Sequence, residues 1–411
     1  MKPRPDLLRG GSPQGIEVFQ LTTEDIPSSH VYMEAQIFAP DSKRFLLHRS
    51  AHAHGSDLHD PEHRYLVCEL EEGGALRPLT HETGATAPSV TSDGQWVYYF
   101  VNETELNGGR LTLKRVRWDG AERQTIMVVD APLPGTSYRP SRIYPLSTIS
   151  SDGQRIALAA FMGNGQQDDA PFGLMVFDIR KAEVRVILEG QTWCNLHPQY
   201  TRSRDPERCH DIMVQENHGN HHDAQGRITV LVSGDGADIH VIRDDGTDFR
   251  DIPWGRDGNE SCQGHQCWRG RSDWMITSTH LREPRQAELI EAQAVPHVGH
   301  IGLLHPQGRR NDLTRHFARP DFDHFATDIE ARRFVTDAVR TIPGGGLYTA
   351  KLGQPGADPL TGWTFLLSPG STLTKQTHIH PFLSPDGKLA FFNSDESGVA
   401  QAYMVRGLEN L

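Results

Sequence analysis

The chain has 411 residues and a formal net charge of −12, with 36% hydrophobic and 23% charged residues. This apolar content excludes an intrinsically disordered chain, and no run of roughly 18 apolar residues is present to span a membrane. The acidic charge argues against a general nucleic-acid-binding protein. The 22 histidines outnumber the 5 cysteines, and histidine serves both as a metal ligand and as a base near neutral pH.

The N-terminal segment lacks the apolar core of a secretory signal. The cysteines are odd in number and form no Cys-x-x-Cys pair, which favours reduced thiols over a disulfide framework. We therefore expect a cytoplasmic protein that binds neither nucleic acid nor membrane, and its oligomeric state stays open.

The predicted elements along the chain are short β-strands bounded by turn residues, the pattern typical of an all-β protein. Only the window 284–294 has a helix-like pattern. The clearest apolar runs are, in chain order, residues 45–48, 96–101, 155–161, 174–177, 228–232 and 389–392.

A turn of the form Ser/Thr/Ala-x-Asp-Gly, followed by a polar residue and an apolar strand, recurs along the chain. The motif is clear in four copies and weaker in three. Its acidic residues are Asp41, Asp93, Asp152, Asp205, Asp273, Glu330 and Asp386. Seven units at roughly 50 to 70 residues predict a seven-bladed β-propeller with four-stranded antiparallel blades around a central channel. We expect one propeller domain over residues 15–411, after an N-terminal extension of residues 1–14. Two separate domains are the alternative, but they predict no period.

Five histidines occupy related positions in this repeat. They lie six or eight residues before the acidic turn residue of units four to seven, at His197, His265, His324, His378 and His380. The innermost strands of a propeller run in one direction around the channel. Offsets that differ by two residues place side chains on the same face of a strand. We therefore expect these five histidines to gather at one end of the channel.

His378-Ile379-His380 is a His-x-His that offers two imidazoles to one ion, and His324 can provide a third. Three neutral ring nitrogens with oxygen ligands suit a divalent ion such as Mn, Fe or Zn. The alternative is a chance His-x-His whose rings bind channel water. We expect the other histidine groups to lie in exposed loops, at residues 52, 54 and 59 and at residues 218, 221 and 222.

Several motifs resemble one known family. They are Leu196-His197-Pro198-Gln199-Tyr200, Glu260-Ser261-Cys262 leading to His265 and Trp268, the isolated His324, and Thr377-His378-Ile379-His380-Pro381 running into Ser384-Pro385-Asp386-Gly387. In these motifs the chain resembles the oligogalacturonate lyases, cytoplasmic seven-bladed propellers that bind manganese and split short pectin fragments by β-elimination. Outside these motifs the resemblance is weak, but it covers nearly the whole chain.

The resemblance implies a lyase that binds an anionic uronate oligosaccharide and uses Mn²⁺ or another divalent first-row ion. It implies His265 as the base and His324, His378 and His380 as metal ligands. The family's glutamine ligand lies three residues before the His-x-His, where this chain has Lys375, so Gln376 is the predicted fourth ligand.

Because an arginine fork binds a carboxylate bidentately, we also expect arginine in the site. Arg243 and Arg202 are candidates for catalysis, and Arg227 is a candidate for substrate binding together with His197 and Tyr200. Two other functions fit the same sequence. One is a non-catalytic binding propeller similar to TolB, and the other is a metal-dependent hydrolase or isomerase of another uronide.

Overall fold

The computed structural model describes the chain except for residues 105–107, 233–235, 253–259, 282–296, 304–309, 314–321, 340–341 and 354–359. The side chains of residues 260, 261, 263, 279–281, 297–303, 310–312 and 322 also lie outside the description, as does the predicted helix-like window at 284–294. The fold is an all-β propeller with four-stranded antiparallel blades. In the described part, no helix is long and apolar enough to cross a membrane.

Four sheets each contain four strands that pair in chain order. Sheet I comprises Ser28–His30, Arg44–Arg49, Arg64–Glu69 and Ala75–Pro78. Sheet II comprises Ala85–Val90, Val97–Glu103, Arg110–Val116 and Gln124–Val129. Sheet III comprises Arg142–Ile149, Arg155–Phe161, Phe172–Asp178 and Glu183–Gly190. Sheet V comprises Phe322–Thr327, Arg333–Ala338, Gly346–Leu352 and Leu360–Leu367.

Sheet IV has eight strands, which divide into two halves of four consecutive strands. Half IVa comprises Gln199–Tyr200, Asp211–Asn217, Ala237–Arg243 and Arg250–Asp251. Half IVb comprises Glu260–Trp268, Trp274–Leu281, His297–Leu303 and Arg310–Asp312. The backbone pairing between the two halves joins Ala237 to Cys262.

Sheet VI contains both ends of the chain. Its C-terminal strands are Phe382–Leu383, Ala390–Ser394 and Gln401–Arg406, and Glu17–Gln20 pairs with the last of them. Lys2–Pro3 then pairs with Glu17–Gln20, so part of the predicted N-terminal extension forms an edge strand of this sheet. A sheet that joins the first strands of the chain to the last is expected of a closed ring and not of two separate domains.

The recurrent turn connects the first two strands of each unit, and its hydrogen bonds explain its residue types. In the third unit the Ser150 hydroxyl donates to Asp152 (2.6 Å), and the same carboxylate accepts from the Gln154 backbone N–H at 3.0 Å. Gly153 has φ +72°, a left-handed conformation that glycine adopts without steric cost. Thr91 with Asp93 and Ser384 with Asp386 repeat the first bond. The turn residues are therefore fixed by local backbone chemistry.

The second strands of the units are buried on both faces, because neighbouring sheets pack against each side. Ile156 to Phe161 in sheet III are all buried, as is the whole of Ala390–Ser394 in sheet VI. This explains why these strands form continuous apolar runs without the alternation of a half-exposed strand.

The strand directions define two ends of the channel. Each first strand runs toward the Asp-Gly turn, and each second strand runs back. The channel therefore has a turn end and an opposite end, which we call the histidine end. The connections between second and third strands lie at the histidine end. One of them, in sheet I, is a small ribbon of Ala51–His52 paired with Gly55–Ser56. In half IVa, His221–His222 pairs with Ile228–Val230. Short 3₁₀ helices occur at Pro5–Leu7, Gln191–Trp193, Lys375–Thr377 and Leu408–Asn410.

Candidate metal centre and active site

The His-x-His lies in the segment between the 3₁₀ helix Lys375–Thr377 and the strand Phe382–Leu383. It was expected on a regular strand, but His380 has φ +45°, in a region that costs a non-glycine residue on the order of 1–2 kcal/mol. Ile379 between the two histidines is fully buried, and its carbonyl accepts from the Asn393 backbone N–H at 2.8 Å. The burial of Ile379 and its backbone hydrogen bond thus fix the segment that carries both imidazoles.

Four imidazoles meet at this end of the channel, and we call His54, His324, His378 and His380 the histidine cluster. The His54 Nε2 lies 3.0 Å from the His378 Nδ1. The His380 ring centroid is 4.6 Å from that of His54 and 4.3 Å from that of His324. One ligand atom each from His54, His378 and His380 lies within 4.8 Å of the others. The cluster therefore gathers imidazole nitrogens at the separation that one ion requires.

The His380 side chain shows that this cluster is suited to a metal ion. It is fully buried, and neither ring nitrogen has a hydrogen-bond partner among the residues that the structure describes. A buried polar atom without a partner costs on the order of 1–3 kcal/mol. A ligand bond to an ion would satisfy one of these nitrogens, so the donor set fits a divalent metal.

Burial keeps three of the four imidazoles neutral. Burial lowers the pKa of His54 to about 2 and that of His378 to about 4, with the neighbouring histidines adding to the effect. Burial also lowers the pKa of His380 well below its usual value. These rings therefore carry free lone pairs at neutral pH, which is the state that binds a metal.

His324 is oriented by a buried carboxylate. Its backbone N–H donates to Asp337 Oδ1 at 2.8 Å, and its ring Nδ1 donates to Asp337 Oδ2 at 3.1 Å. Asp337 is fully buried, and burial raises its pKa. Burial alone would lower the pKa of His324, but the negative charges of Asp337 and Asp323 outweigh it and raise this pKa. With Nδ1 bound to the carboxylate, Nε2 is the nitrogen left for the cluster, an arrangement common among metal-binding histidines.

His265 lies beside the cluster as a separate imidazole. Its ring centroid is 4.4 Å from that of His324, and its Nδ1 is 3.5 Å from Asp323 Oδ1. That distance is too long for a strong hydrogen bond, and Nδ1 is buried without a partner. Burial lowers the pKa of His265 to about 3, so its ring is neutral at pH 7. His265 therefore has the lone pair needed to accept a proton from a bound molecule.

His197 borders the cluster through the segment that follows the first strand of sheet I. Its Nδ1 lies 3.0 Å from Glu34 Oε2, and its ring is 5.4 Å from that of Tyr32. Tyr32 in turn lies 4.6 Å from the ring of His380. All five histidines predicted from the repeat thus lie at the histidine end, four within 5.6 Å of another member and His197 next to them through Tyr32.

Tyr200, predicted to bind substrate, is buried away from the channel opening. Its hydroxyl donates to Asp244 at 2.9 Å. Asp244 also accepts from Arg155 and lies 2.8 Å from His210 Nδ1. The Tyr200 hydroxyl therefore serves a buried polar network, and its contacts give no support to a substrate-binding role.

The described contacts place none of the three predicted arginines at the cluster. Arg243 ends the third strand of half IVa, which places it at the turn end, where it binds the Glu207 carbonyl and lies 3.7 Å from Asp211. Arg227 is exposed on the ribbon of half IVa. Arg202 follows the first strand Gln199–Tyr200 of half IVa toward the turn end, where it lines a cavity of about 140 Å³ together with Glu34 and residues of the turns. Burial lowers the pKa of Arg202.

Comparisons with known proteins were made by sequence and by structure. No family model and no curated protein matches the sequence. Among solved structures, an oligogalacturonate lyase in complex with manganese matches with a TM-score of 0.70 and 18% identity, covering 96% of this chain and 94% of that one. The oligogalacturonate lyase from Vibrio parahaemolyticus matches with a TM-score of 0.69 and 18% identity, over 97% and 96% of the two chains.

The β-propeller domain of the Trilobed protease from Pyrococcus furiosus is less similar. It matches with a TM-score of 0.54 and 10% identity, covering 94% of this chain and 96% of that one. The chain resembles the oligogalacturonate lyases in fold. At this identity the likeness shows the architecture, and the chemistry has to be argued from the site.

Two expectations about individual ligands were wrong. Gln376, the predicted fourth ligand, has an exposed side chain on the 3₁₀ helix Lys375–Thr377, because the one-residue shift from the family's spacing turns it away from His378. His54, expected in an exposed loop, belongs to the cluster. His222, also expected to be exposed, is buried, whereas His218 and His221 are exposed as expected.

The topology of a blade could have revealed His54. The register of the turns locates residues of first strands, but the connection between second and third strands reaches the same end of the channel. His54 lies in that connection of sheet I, directly before the ribbon strand Gly55–Ser56. Asp337 lies near the end of the second strand of sheet V, just before the connection to the third strand, and so reaches the same end of the channel.

Proposed function

We propose that this protein is a metal-dependent lyase that cleaves short uronate-containing oligosaccharides by β-elimination. The observation that carries the proposal is the group of neutral imidazoles at one end of the channel, beside the separate, partly buried imidazole of His265. The fold shared with oligogalacturonate lyases suggests which reaction to propose. Oligogalacturonate is the first substrate to test, and related uronides follow.

The bond changes required match the groups present. In the proposed reaction the imidazole of His265 takes the proton from C5 of a uronate. The C5–H electron pair forms the C4–C5 double bond, and the C4–O bond breaks, so that the leaving oxygen takes up a proton. The C5 proton is weakly acidic while the adjacent carboxylate is fully charged. A divalent ion bound by the histidine cluster would neutralise that carboxylate.

The charges of the site favour an anionic substrate despite the net charge of −12. The three imidazoles His54, His378 and His380 bring no negative charge, so an ion held there keeps most of its positive charge. The carboxylates of Asp337 and Asp323 lie beside His324 and His265. Arg202 stays the candidate for binding a carboxylate of the oligosaccharide, although it follows the strand Gln199–Tyr200 and so lies toward the turn end.

We further propose that the ring has seven blades and that the protein works in the cytoplasm. Each half of sheet IV has the four consecutive strands of a blade, and a single described residue pair links the two halves. Counting them as separate blades gives one blade for each of the seven acidic turns. The cysteines are all free thiols, in keeping with a reducing compartment.

The test is an elimination assay on the metal-loaded protein. Oligogalacturonate should give products that absorb in the near ultraviolet, because elimination leaves a C4–C5 double bond conjugated to the carboxylate. Mass spectrometry separates the alternatives, since hydrolysis adds one water to the products and elimination adds none. If no uronide of a panel gives such products at full metal occupancy, the lyase function is wrong.

Matched variants assign the roles. His265→Ala should keep the metal and lose turnover, whereas His380→Ala should lose both. His221→Ala is the control, because His221 is an exposed histidine outside the cluster. Full activity of His265→Ala would show that another group is the base.

A further inference from the structure

The donor set of the histidine cluster differs from the one predicted from the sequence. We infer that His54, and not Gln376, is a ligand of the ion, and that the resulting all-imidazole set strengthens selection for Zn²⁺ or Ni²⁺ against Mn²⁺. The inference deepens the metal site of the proposed function and rests on that site, but it does not depend on which substrate is cleaved.

The separation of the nitrogens fits two ligands of one ion. Imidazole nitrogens bind first-row ions at about 2.0–2.1 Å. Neighbouring ligands at tetrahedral or right angles therefore stand about 2.8–3.4 Å apart. The His54 Nε2 and the His378 Nδ1 are 3.0 Å apart, and the fully buried His380 brings two further nitrogens that have no partner among the described residues.

The backbone holds His54 in this position. The ribbon strands Ala51–His52 and Gly55–Ser56 pair on either side of it. The Ala53 N–H donates to the Gln376 carbonyl at 3.0 Å. Gln376 thus contacts this loop through its backbone while its side chain points to solvent. The loop of His54 and the His-x-His segment are therefore tied together, and His54 stands among the imidazoles in place of the predicted glutamine.

The chemistry of the donors then determines the choice of ion. Imidazole suits Zn²⁺, Cu²⁺, Fe²⁺ and Ni²⁺, whereas amide, carboxylate and water oxygens suit Mn²⁺. The potential ligand atoms of His54, His378 and His380 are all nitrogen. The carboxylate of Asp337 binds His324, and Asp323 groups with His265 and His324 and not with these three imidazoles. Replacing an amide ligand by His54 should therefore raise affinity for Zn²⁺ and Ni²⁺ more than for Mn²⁺.

The experiment measures how His54 changes the ratio of affinities. Most sites bind Mn²⁺ most weakly of these ions, so a preference of the wild type for Zn²⁺ alone decides nothing. The metal-free protein and His54→Gln are titrated with Zn²⁺, Ni²⁺ and Mn²⁺ against a competing chelator. We expect His54→Gln to lose about 100-fold in affinity for Zn²⁺ and less than about 10-fold for Mn²⁺. Co²⁺ absorption spectra of both proteins give an independent view of the change in donors.

His59→Gln is the matched control, because His59 is an exposed histidine of the same connection and should bind every ion as the wild type does. His54→Asn repeats the test with a shorter amide, and circular dichroism shows whether each variant folds. Unchanged Zn²⁺ affinity and an unchanged Co²⁺ spectrum in a folded His54→Gln protein would overturn the inference, as would a wild type that binds none of these ions. If the ratio shifts as expected but no uronide is cleaved, the proposed lyase function fails and the metal site stands.

Discussion

Asp337→Asn tests whether the carboxylate behind His324 controls the metal centre. The substitution keeps the size of the side chain and retains an oxygen for the His324 backbone N–H, which now donates to Oδ1 at 2.8 Å. It removes the acceptor for the His324 ring, whose Nδ1 lies 3.1 Å from Oδ2. An amide N–H at that point favours the imidazole tautomer that protonates Nε2, and the lone pair then faces away from the cluster.

The expected loss is about 10- to 100-fold in metal affinity, the range found for the partners of metal-binding histidines. This corresponds to about 1.4–2.8 kcal/mol of binding free energy. Asp337 is fully buried, so solvent screens the interaction little, and we expect the upper half of the range. The free energy of unfolding should change less than the free energy of metal binding, because the amide preserves packing and one of the two hydrogen bonds.

The assay is calorimetric titration of the metal-free protein with Zn²⁺ at neutral pH. Asp169→Asn provides a control of the same chemistry, since Asp169 accepts from the His222 backbone N–H at 2.8 Å and lies 3.0 Å from the His221 ring Nδ1. It lies outside the cluster and should leave Zn²⁺ affinity unchanged. Wild-type affinity in Asp337→Asn would refute the idea that His324 is oriented for metal binding.

Three further predictions concern the scaffold. Gly94→Ala and Gly73→Ala both replace a glycine at φ +69°, but only at Gly94 would the new Cβ meet Pro40 Cδ, at 2.5 Å. In urea unfolding, Gly73→Ala should lower the free energy of unfolding by about 1–2 kcal/mol, and Gly94→Ala should lower it more. Equal losses would contradict the contact with Pro40. Arg4→Ala removes the partner of the largely buried Glu396 in sheet VI and should cost about 2–4 kcal/mol of unfolding free energy; an unchanged unfolding midpoint would show that this pair does not stabilise ring closure. Although partial burial opposes it, hydrogen bonds from Lys114 and Tyr99 lower the pKa of Glu82 to about 2. Glu82→Gln should therefore lower stability by on the order of 1–2 kcal/mol at pH 7, discounted for partial exposure. The difference from the wild type should fade as the pH falls from about 4.5 to about 2, and a constant difference would mean that the charge plays no part.

The architecture could be predicted because local backbone chemistry determines the repeat. A side chain such as Ser150 or Ser384 bonds to the aspartate two residues later, and the following glycine takes a positive φ. These requirements are the same in each turn whatever surrounds it, so they leave a pattern in the sequence. The register of the turns then placed the five channel histidines at one end.

The parts of the site that were missed depend on contacts between blades. His54 meets His378 across 324 positions of sequence, and no local pattern records such a pair. Arg243 was a candidate by residue type alone, but the alternating strand directions place it at the turn end. Gln376 was placed by analogy with a spacing that this chain does not have. Residue type and register thus predicted the imidazoles on or just before the first strands, and the path of the connections decided the rest.

Hydrogen bonds between neighbouring units are described at the turn end of the channel, and buried ring nitrogens without described partners are found at the histidine end. At the turn end, hydrogen bonds join one unit to the next: the Ser92 hydroxyl donates to the Ser151 carbonyl, and the Ser151 hydroxyl donates to the Ser203 carbonyl. At the histidine end, His380 and His265 keep buried nitrogens without partners among the described residues. Such groups reduce stability unless a ligand satisfies them. The bonds between units at the turn end stabilise the ring, and the proposed metal ion and substrate would satisfy these nitrogens at the histidine end.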